Sequence, residues 1–191
     1  MTVQTEKVRI RREVRGNRQR RSADQRDEHN RAVATHLTDL ITSSGAQRVL
    51  IYLATRDEPQ TRDVIRDLSA TGVRFFAPVC LPDGVMHWAE VDGNSAERVS
   101  EVGTPEPDVS PENLLPTVDA DMVVCPAAAV DLSGTRVGWG RGYYDRLLAT
   151  LSPGLPVFAL VGDEDVYEHL PREKHDMPVT GVVTPKGWRR F

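Results

Sequence analysis

Hydrophobic positions along the chain change period several times, and each change marks a predicted element. Val33, Leu37, Leu40 and Ile41 recur at i, i+4, i+7 and i+8, the spacing of one helix face, and Gly45 closes that helix. Upstream, the first forty residues read as helical, with an interruption at Gly16 and Asn17. Residues 48–53 (RVLIYL) and 73–79 (VRFFAPV) are short, apolar and β-rich, which predicts buried strands. Between them, residues 61–71 put Val64, Ile65 and Leu68 on one side, with Thr61 as the expected cap and Gly72 as the expected terminator. Residues 82–116 carry a weaker signal. Asp83-Gly84 predicts a turn before a strand at Met86–Val91, and the run Thr104-Pro105-Glu106-Pro107 predicts irregular backbone. Residues 121–125 (DMVVC), 155–161 (LPVFALV) and 179–184 (VTGVVT) predict further strands, and Tyr144, Leu147, Leu148 and Leu151 predict a helix before the second of these. Strands alternating with helices across short turns predict an α/β fold with a mostly parallel central sheet flanked by helices.

A chain of 191 residues fits one domain better than two and can bury a sizeable core without disulfides or metal staples, so residues 1–191 are expected to form a single domain. Hydrophobic residues make up 39% and charged residues 27%, which excludes collagen-like, disulfide-rich and membrane classes. Cys80 and Cys125 lie far apart, and the chain opens on charged residues instead of an apolar stretch; a cytoplasmic setting is expected, with no membrane partner. No repeat or low-complexity tract is visible.

Charge changes the picture at the amino end. Residues 7–31 hold ten basic residues against four acids, a local +6 that leaves −10 for the remainder of a chain whose net charge is −4. Such a head suits a nucleic acid or a small polyanion, and composition does not choose between them.

The most informative stretch is residues 125–146, CPAAAVDLSGTRVGWGRGYYDR, where a predicted strand runs into a loop with Gly138, Gly140 and Gly142 and then into a predicted helix. Glycines admit an anion close to backbone N–H groups, a helix start favours negative charge, and Arg136 and Arg141 flank the loop. The spacing is neither a Walker A loop nor the Gly-x-Gly-x-x-Gly of dinucleotide folds. On spacing alone, a ligand loop and a tight structural turn stand level.

Residues 125–131 (CPAAAVD) followed by 136–146 (RVGWGRGYYDR) resemble the signature of the 5-formyltetrahydrofolate cyclo-ligases, also called methenyltetrahydrofolate synthetases. The resemblance extends to Lys7-x-x-Ile10-Arg11 with Arg18, to Asp57-Glu58-Pro59, to Pro105-Glu106-Pro107, and to His175-Asp176-Met177-Pro178-Val179 with Val182-Val183-Thr184, so it spans essentially the whole chain in order. It departs at Val130, where the family commonly has Phe, at Arg141, where it has Lys or Gly, and at Thr180, where many relatives carry an acid.

The resemblance implies the architecture of sugar-phosphate isomerases and coenzyme A transferases. It also implies ATP- and Mg²⁺-dependent conversion of 5-formyltetrahydrofolate into 5,10-methenyltetrahydrofolate, with release of ADP and phosphate. Carried over by position, Lys7, Arg136 and Arg141 are the expected catalytic groups. Lys7, Arg11, Arg136, Gly138, Trp139, Gly140, Arg141, Gly142, Tyr143 and Tyr144 are expected at ATP. Glu58, Trp139, Gly140, Arg141, Gly142 and Tyr143 are expected at the folate, with Asp145 and Asp176 holding Mg²⁺. The expected partners are therefore 5-formyltetrahydrofolate and ATP, bound by a monomer, with no nucleic acid.

Plainer readings stand beside these. Lys7 and Arg11 taken alone suit a solvated helix face, as do the remaining arginines of the head. Asp145 would complement a helix start, Glu58 would fill a turn, and His175 would sit on an exposed loop. Met86 to Trp88 are packing or surface residues within reach of a folate cleft, Trp188 is the same kind, and Cys125 is a small buried residue. A rival function is a catalytically inactive nucleotide- or RNA-binding relative that grips RNA through Arg12, Arg15, Arg20 and Arg21. A third, an isomerase or transferase acting on sugar phosphates or acyl thioesters, rests on shared architecture alone.

Overall fold

The computed structural model describes residues 2–82 and 84–191. The predicted turn at Asp83-Gly84 has its first residue outside the described residues. Helices α1 (Val3–Gln19), α2 (Ala23–Ser44), α3 (Arg62–Ser69) and α4 (Tyr143–Leu148) alternate with strands β1 (Arg48–Ile51), β2 (Arg74–Cys80), β3 (Met86–Val91), β4 (Glu97–Val99), β5 (Pro105–Pro107), β6 (Met122–Pro126), β7 (Ala129–Asp131), β8 (Arg136–Val137), β9 (Val157–Leu160), β10 (Val166–Tyr167), β11 (Gly181–Thr184) and β12 (Gly187–Arg190).

The main sheet has the order β12-β11-β9-β6-β1-β2-β3. Its five inner strands are parallel, and the two edge strands pair antiparallel. Alternate residues of each inner strand enter opposite cores. Val49 and Ile51 of β1, Met122 and Val124 of β6, and Phe158 and Leu160 of β9 pack with Val33, Leu37, Leu40 and Ile41 of α2. Leu50, Val123, Cys125, Val157 and Ala159 pack on the other face with Leu148 of α4. Burial on both faces is why these strands read as unbroken apolar runs. The expected α/β class, with a mostly parallel sheet flanked by helices, is the observed one. Among the described residues no helix is long and apolar enough to cross a membrane.

Four local expectations need correction. Gly16 and Asn17 do not interrupt α1, which runs on to Gln19; the break falls at residues 20–22, where the Ser22 and Gln25 capping box starts α2. Ile10 and Val14 hold α1 through the glycine by packing against Ala128, Ala129, Val137 and Leu170. Thr61 makes no capping bond to α3, because its hydroxyl donates to the Tyr52 carbonyl at 2.7 Å and is buried there. Residues 105–107 are not irregular: they pair antiparallel with β4, drawn in by the Arg98–Glu106 ion pair at 3.0 Å. The helix predicted at 144–151 is shorter and earlier, as α4.

A small sheet of order β10-β7-β8 hangs beside the main one, and its tight β7–β8 hairpin is organised by Asp131. One carboxylate oxygen accepts from Ser133 N–H, the Ser133 hydroxyl and Thr135 N–H at 2.7–2.9 Å, and the other from Leu170 N–H at 2.9 Å. Burial pushes this carboxyl up, but the hydrogen bonds outweigh it and hold it below its ordinary value. Asp131 therefore fixes the entry to the glycine loop.

Candidate ligand cleft

Chain order reverses between β1 and β6: the chain goes from β1 to β2 on one side, and later returns to build outward from β6 on the other. In open α/β sheets a crevice opens outside the carboxyl ends of the strands at such a switch point. A cavity of about 370 Å³ lies there, lined by Tyr52 and Leu53 just beyond β1, Pro78 and Cys80 of β2, and Pro126 at the end of β6. Helix α1 forms one wall through Lys7, Arg11 and Arg15, and the loop from Gly138 to Gly142 runs along another.

The residues expected from sequence converge on this one cavity. Lys7, Arg11, Glu58, Arg136, Gly138, Trp139, Gly140, Arg141, Gly142, Tyr143, Tyr144, Asp145 and Asp176 all line it. Met86 reaches it as well, whereas Trp88, two residues on in β3, is buried and does not line it. Lys7 is not on a solvated face. Its side chain is 5% exposed, and its ammonium donates to Asp176 at 2.5 Å and to Glu173 at 3.2 Å. Burial pushes the Asp176 carboxyl up, but the Glu173 N–H at 2.7 Å and the Lys7 ammonium hold it below the ordinary carboxylate value. Arg136 donates to Asp145 at 2.7 Å and to the Pro126 carbonyl at 3.2 Å. Arg11 donates to the Gly138 carbonyl at 2.7 Å. Partial burial lowers its pKa, opposed by Asp145 and Asp176 and reinforced by Arg136, so the four charges share one field.

The glycine loop is a tight turn that also forms a wall of the cavity. Gly140 (φ +93°) and Gly142 (φ +75°) occupy the left-handed region that disfavours side chains, and both face the cavity. Three polar atoms along the walls are buried without a protein partner among the described residues: Arg136 Nε, Trp139 Nε1 and the Tyr144 hydroxyl. Such donors are free to pair with a group that enters the cavity. Glu58 is oriented by Thr55, whose N–H and hydroxyl donate to one carboxylate oxygen at 2.9 and 2.8 Å, leaving the other oxygen open. Asp145 and Asp176 each use only one carboxylate oxygen toward Arg136 or Lys7, which leaves the other as the kind of donor a hard divalent cation takes. Thr180 does not line the cavity; its hydroxyl accepts from Val157 N–H at 2.9 Å and so bears on strand pairing instead. His175 is exposed, and Cys125 is fully buried.

Sequence reasoning missed Arg18 and Asp165. Arg18 is 1% exposed and donates to Asp165 at 2.9 Å and to the Ala127 and Ala128 carbonyls at 3.1 and 3.3 Å. Its guanidinium also lies 5.4 Å from the Trp139 ring centroid. It thus ties α1 to the end of β6 and to the glycine loop, contrary to the expected solvated face. The motif match at Arg18 was the available signal, but its partner is 147 residues away.

Fold and cleft together define a class: an open, mostly parallel α/β protein with a cation-rich, aromatic-walled ligand cleft at its topological switch point. The chain belongs to the 5-formyltetrahydrofolate cyclo-ligase family, whose model matches residues 3–185. It is 33% identical over 146 residues to the 5-formyltetrahydrofolate cyclo-ligase of Mycolicibacterium smegmatis, covering 72% of this chain and 73% of the relative. With the Escherichia coli 5-formyltetrahydrofolate cyclo-ligase it shares 31% identity over 179 residues, 90% of this chain and 98% of the relative. The solved structure of Aquifex aeolicus 5,10-methenyltetrahydrofolate synthetase superposes with a TM-score of 0.76 at 26% identity, covering 96% of this chain and 92% of that one. The Mycoplasma pneumoniae 5,10-methenyltetrahydrofolate synthetase has the same fold, with a TM-score of 0.71 at 15% identity over 94% and 99% of the two chains.

Proposed function

We propose that this protein is an ATP-dependent ligase that closes 5-formyltetrahydrofolate to 5,10-methenyltetrahydrofolate, with release of ADP and phosphate. The observation that carries the reading is the convergence of Lys7, Arg11, Glu58, Arg136, Asp145 and Asp176, from separate segments, on one cavity in a member of this family. The chemistry explains the need for ATP. The N5 formyl oxygen is a poor leaving group, so the γ-phosphoryl group passes to that oxygen, the N10 lone pair attacks the formyl carbon, N10 gives up its proton to solvent, and the carbon–oxygen bond breaks with phosphate leaving. Each step asks the protein for position and charge neutralisation more than for covalent work.

Lys7, Arg11, Arg136 and Arg141 neutralise the phosphates in this reading. The backbone of Gly138, Gly140 and Gly142, with Trp139, Tyr143 and Tyr144, shapes the nucleotide side. The open oxygen of Glu58 accepts from pterin N–H groups, and residues 139–143 line the folate. Asp145 and Asp176 hold Mg²⁺, which when bound supplies positive charge to the phosphate oxygens. Lys7 and Arg136 pair with these carboxylates before any ligand arrives. One chain supplies every proposed site residue, which favours a monomer, and the unpaired Cys80 and Cys125 favour the cytoplasm. The test is turnover: protein with ATP, Mg²⁺ and 5-formyltetrahydrofolate should generate the near-ultraviolet absorbance of the methenyl product. No signal with verified substrate overturns the reading.

A further inference from the structure

The peptide between Arg141 and Gly142, part of the cavity wall, is flanked by two left-handed glycines, Gly140 at φ +93° and Gly142 at φ +75°. A peptide next to a glycine turns over at little cost, because glycine accepts either sign of φ. One side chain holds this peptide in place. Arg146 lies one turn further on, in α4, and helix side chains lean back toward the preceding turn. Its Nη2 donates to the Arg141 carbonyl at 3.1 Å, and its Nε donates to the Gly84 carbonyl at 2.9 Å, in the connection between β2 and β3. The guanidinium also lies 5.3 Å from the Tyr143 ring centroid, and the Tyr143 hydroxyl donates to the Leu81 carbonyl of the same connection at 3.0 Å. Gly84 and Gly142 leave room for this clamp, since a Cβ on either would meet the guanidinium.

The clamp sets a direction. Arg146 is exposed and does not line the cavity, whereas Arg141, Gly142 and Tyr143 do. The described residues contain no cis peptide bond, so the carbonyl of residue 141 and the N–H of residue 142 point opposite ways. With the carbonyl drawn outward to Arg146, the Gly142 N–H faces inward, and it has no hydrogen-bond partner among the described residues. Arg136 Nε and Trp139 Nε1, buried without a partner on the same walls, are donors too, and the Arg11 guanidinium packs against Gly140. Open donors beside cations suit an acceptor-rich anion. In the reaction proposed above that anion is the triphosphate, and Asp145, its proposed metal carboxylate, follows Gly142 by one helical turn.

We propose that Arg146 is a positioning residue for the nucleotide: by holding the Arg141 carbonyl it fixes the Gly142 N–H toward the cavity, where that N–H donates to a phosphate oxygen of ATP. The proposal rests on the ATP reading above. Arg146 itself touches no substrate, and as an exposed side chain it contributes little to the stability of the whole fold, so its loss acts on the orientation of the wall.

The experiment compares native protein with Arg146→Met, which keeps a stem against Tyr143 and removes every donor, and with Arg146→Lys, which keeps the charge and loses the fork. Turnover to methenyl product at saturating Mg²⁺ gives KM for ATP and for 5-formyltetrahydrofolate. The Gly142 amide is followed by NMR in ¹⁵N-glycine-labelled protein as Mg²⁺ and a non-hydrolysable ATP analogue are added. Arg146→Met should raise KM for ATP by about five- to tenfold, the worth of one well-aimed donor to a charged oxygen, with KM for the folate within about twofold and Tm nearly unmoved. Arg146→Lys should recover part of the loss. In native protein the Gly142 amide proton should move downfield on nucleotide addition, and that move should shrink in Arg146→Met. An unchanged KM for ATP in Arg146→Met, an equal rise in both KM values, or a native Gly142 amide that ignores the nucleotide overturns the assignment of Arg146. Absence of methenyl product from native protein overturns the reaction itself, a different and separately visible failure.

Discussion

Arg18→Met tests the physical link between fold and cleft most sharply. The Arg18 guanidinium and the Asp165 carboxylate are 1% and 2% exposed, and they meet through Nε and a terminal nitrogen at 3.2 and 2.9 Å. Burial pushes the Asp165 carboxyl up, and Arg18 opposes that shift without cancelling it. Methionine keeps the apolar stem but strands a buried carboxylate whose remaining protein donor is the Gly162 N–H at 3.3 Å. Removing one partner of such a pair costs about 3–5 kcal/mol, and in a domain of this size each kcal/mol lowers Tm by about 2–4 °C. A fall of about 6–20 °C is therefore expected by thermal circular dichroism at neutral pH. Because a raised carboxyl pKa favours the folded state below the group's ordinary value of 3.8 and penalises it above, the deficit should shrink as the pH falls toward that value. The double variant Arg18→Met/Asp165→Leu should recover much of the loss, since no uncompensated charge remains. A single-variant loss below about 1 kcal/mol, or a double variant no more stable than the single, would refute this reasoning.

Two further outcomes follow from the same geometry. Asp145→Asn retains an oxygen for Arg136 but loses the carboxylate charge, so the fold should persist by circular dichroism while the Mg²⁺ concentration giving half-maximal turnover rises by about tenfold or more; an unchanged Mg²⁺ dependence would take Asp145 out of the metal site. Asp131→Asn should cost about 1–3 kcal/mol at pH 7; since the native carboxyl is held below 3.8, that advantage is present above this value and should fade as the pH drops below it in urea titrations, whereas a pH-independent difference would contradict the hydrogen-bond account.

What the sequence revealed follows the range of the interactions involved. The inner strands were legible because Val49, Leu50 and Ile51, like Met122 to Cys125, are apolar on both faces, a local property of the chain. Helix α2 was legible from its apolar stripe and from Gly45, which ends it at φ +71°. Strand β5 was hidden because Pro105 and Pro107 argue against pairing, and the ion pair that recruits the segment to β4 is a tertiary fact. In β12, the sequence Gly-Trp-Arg-Arg carries no alternation, and its pairing with β11 comes from a tight return of the chain. The cleft was legible only through the family motifs. Nothing local distinguishes Lys7, Arg15 and Arg18 from their charged neighbours, because the groups that bury or stack them, Asp176, Trp139 and Asp165, lie more than a hundred residues further on. The glycine loop was ambiguous between turn and ligand loop; the geometry shows a tight turn that also lines the cavity.

The central claim is that the formyl oxygen leaves this cavity on phosphate. It is tested most directly by preparing 5-formyltetrahydrofolate with ¹⁸O in the formyl group and following the label through turnover with ATP and Mg²⁺ by mass spectrometry. The account requires one labelled oxygen in each inorganic phosphate released, in step with methenyl product. Label recovered in water, with unlabelled phosphate, would mean that ring closure proceeds without phosphoryl transfer to that oxygen and would contradict it.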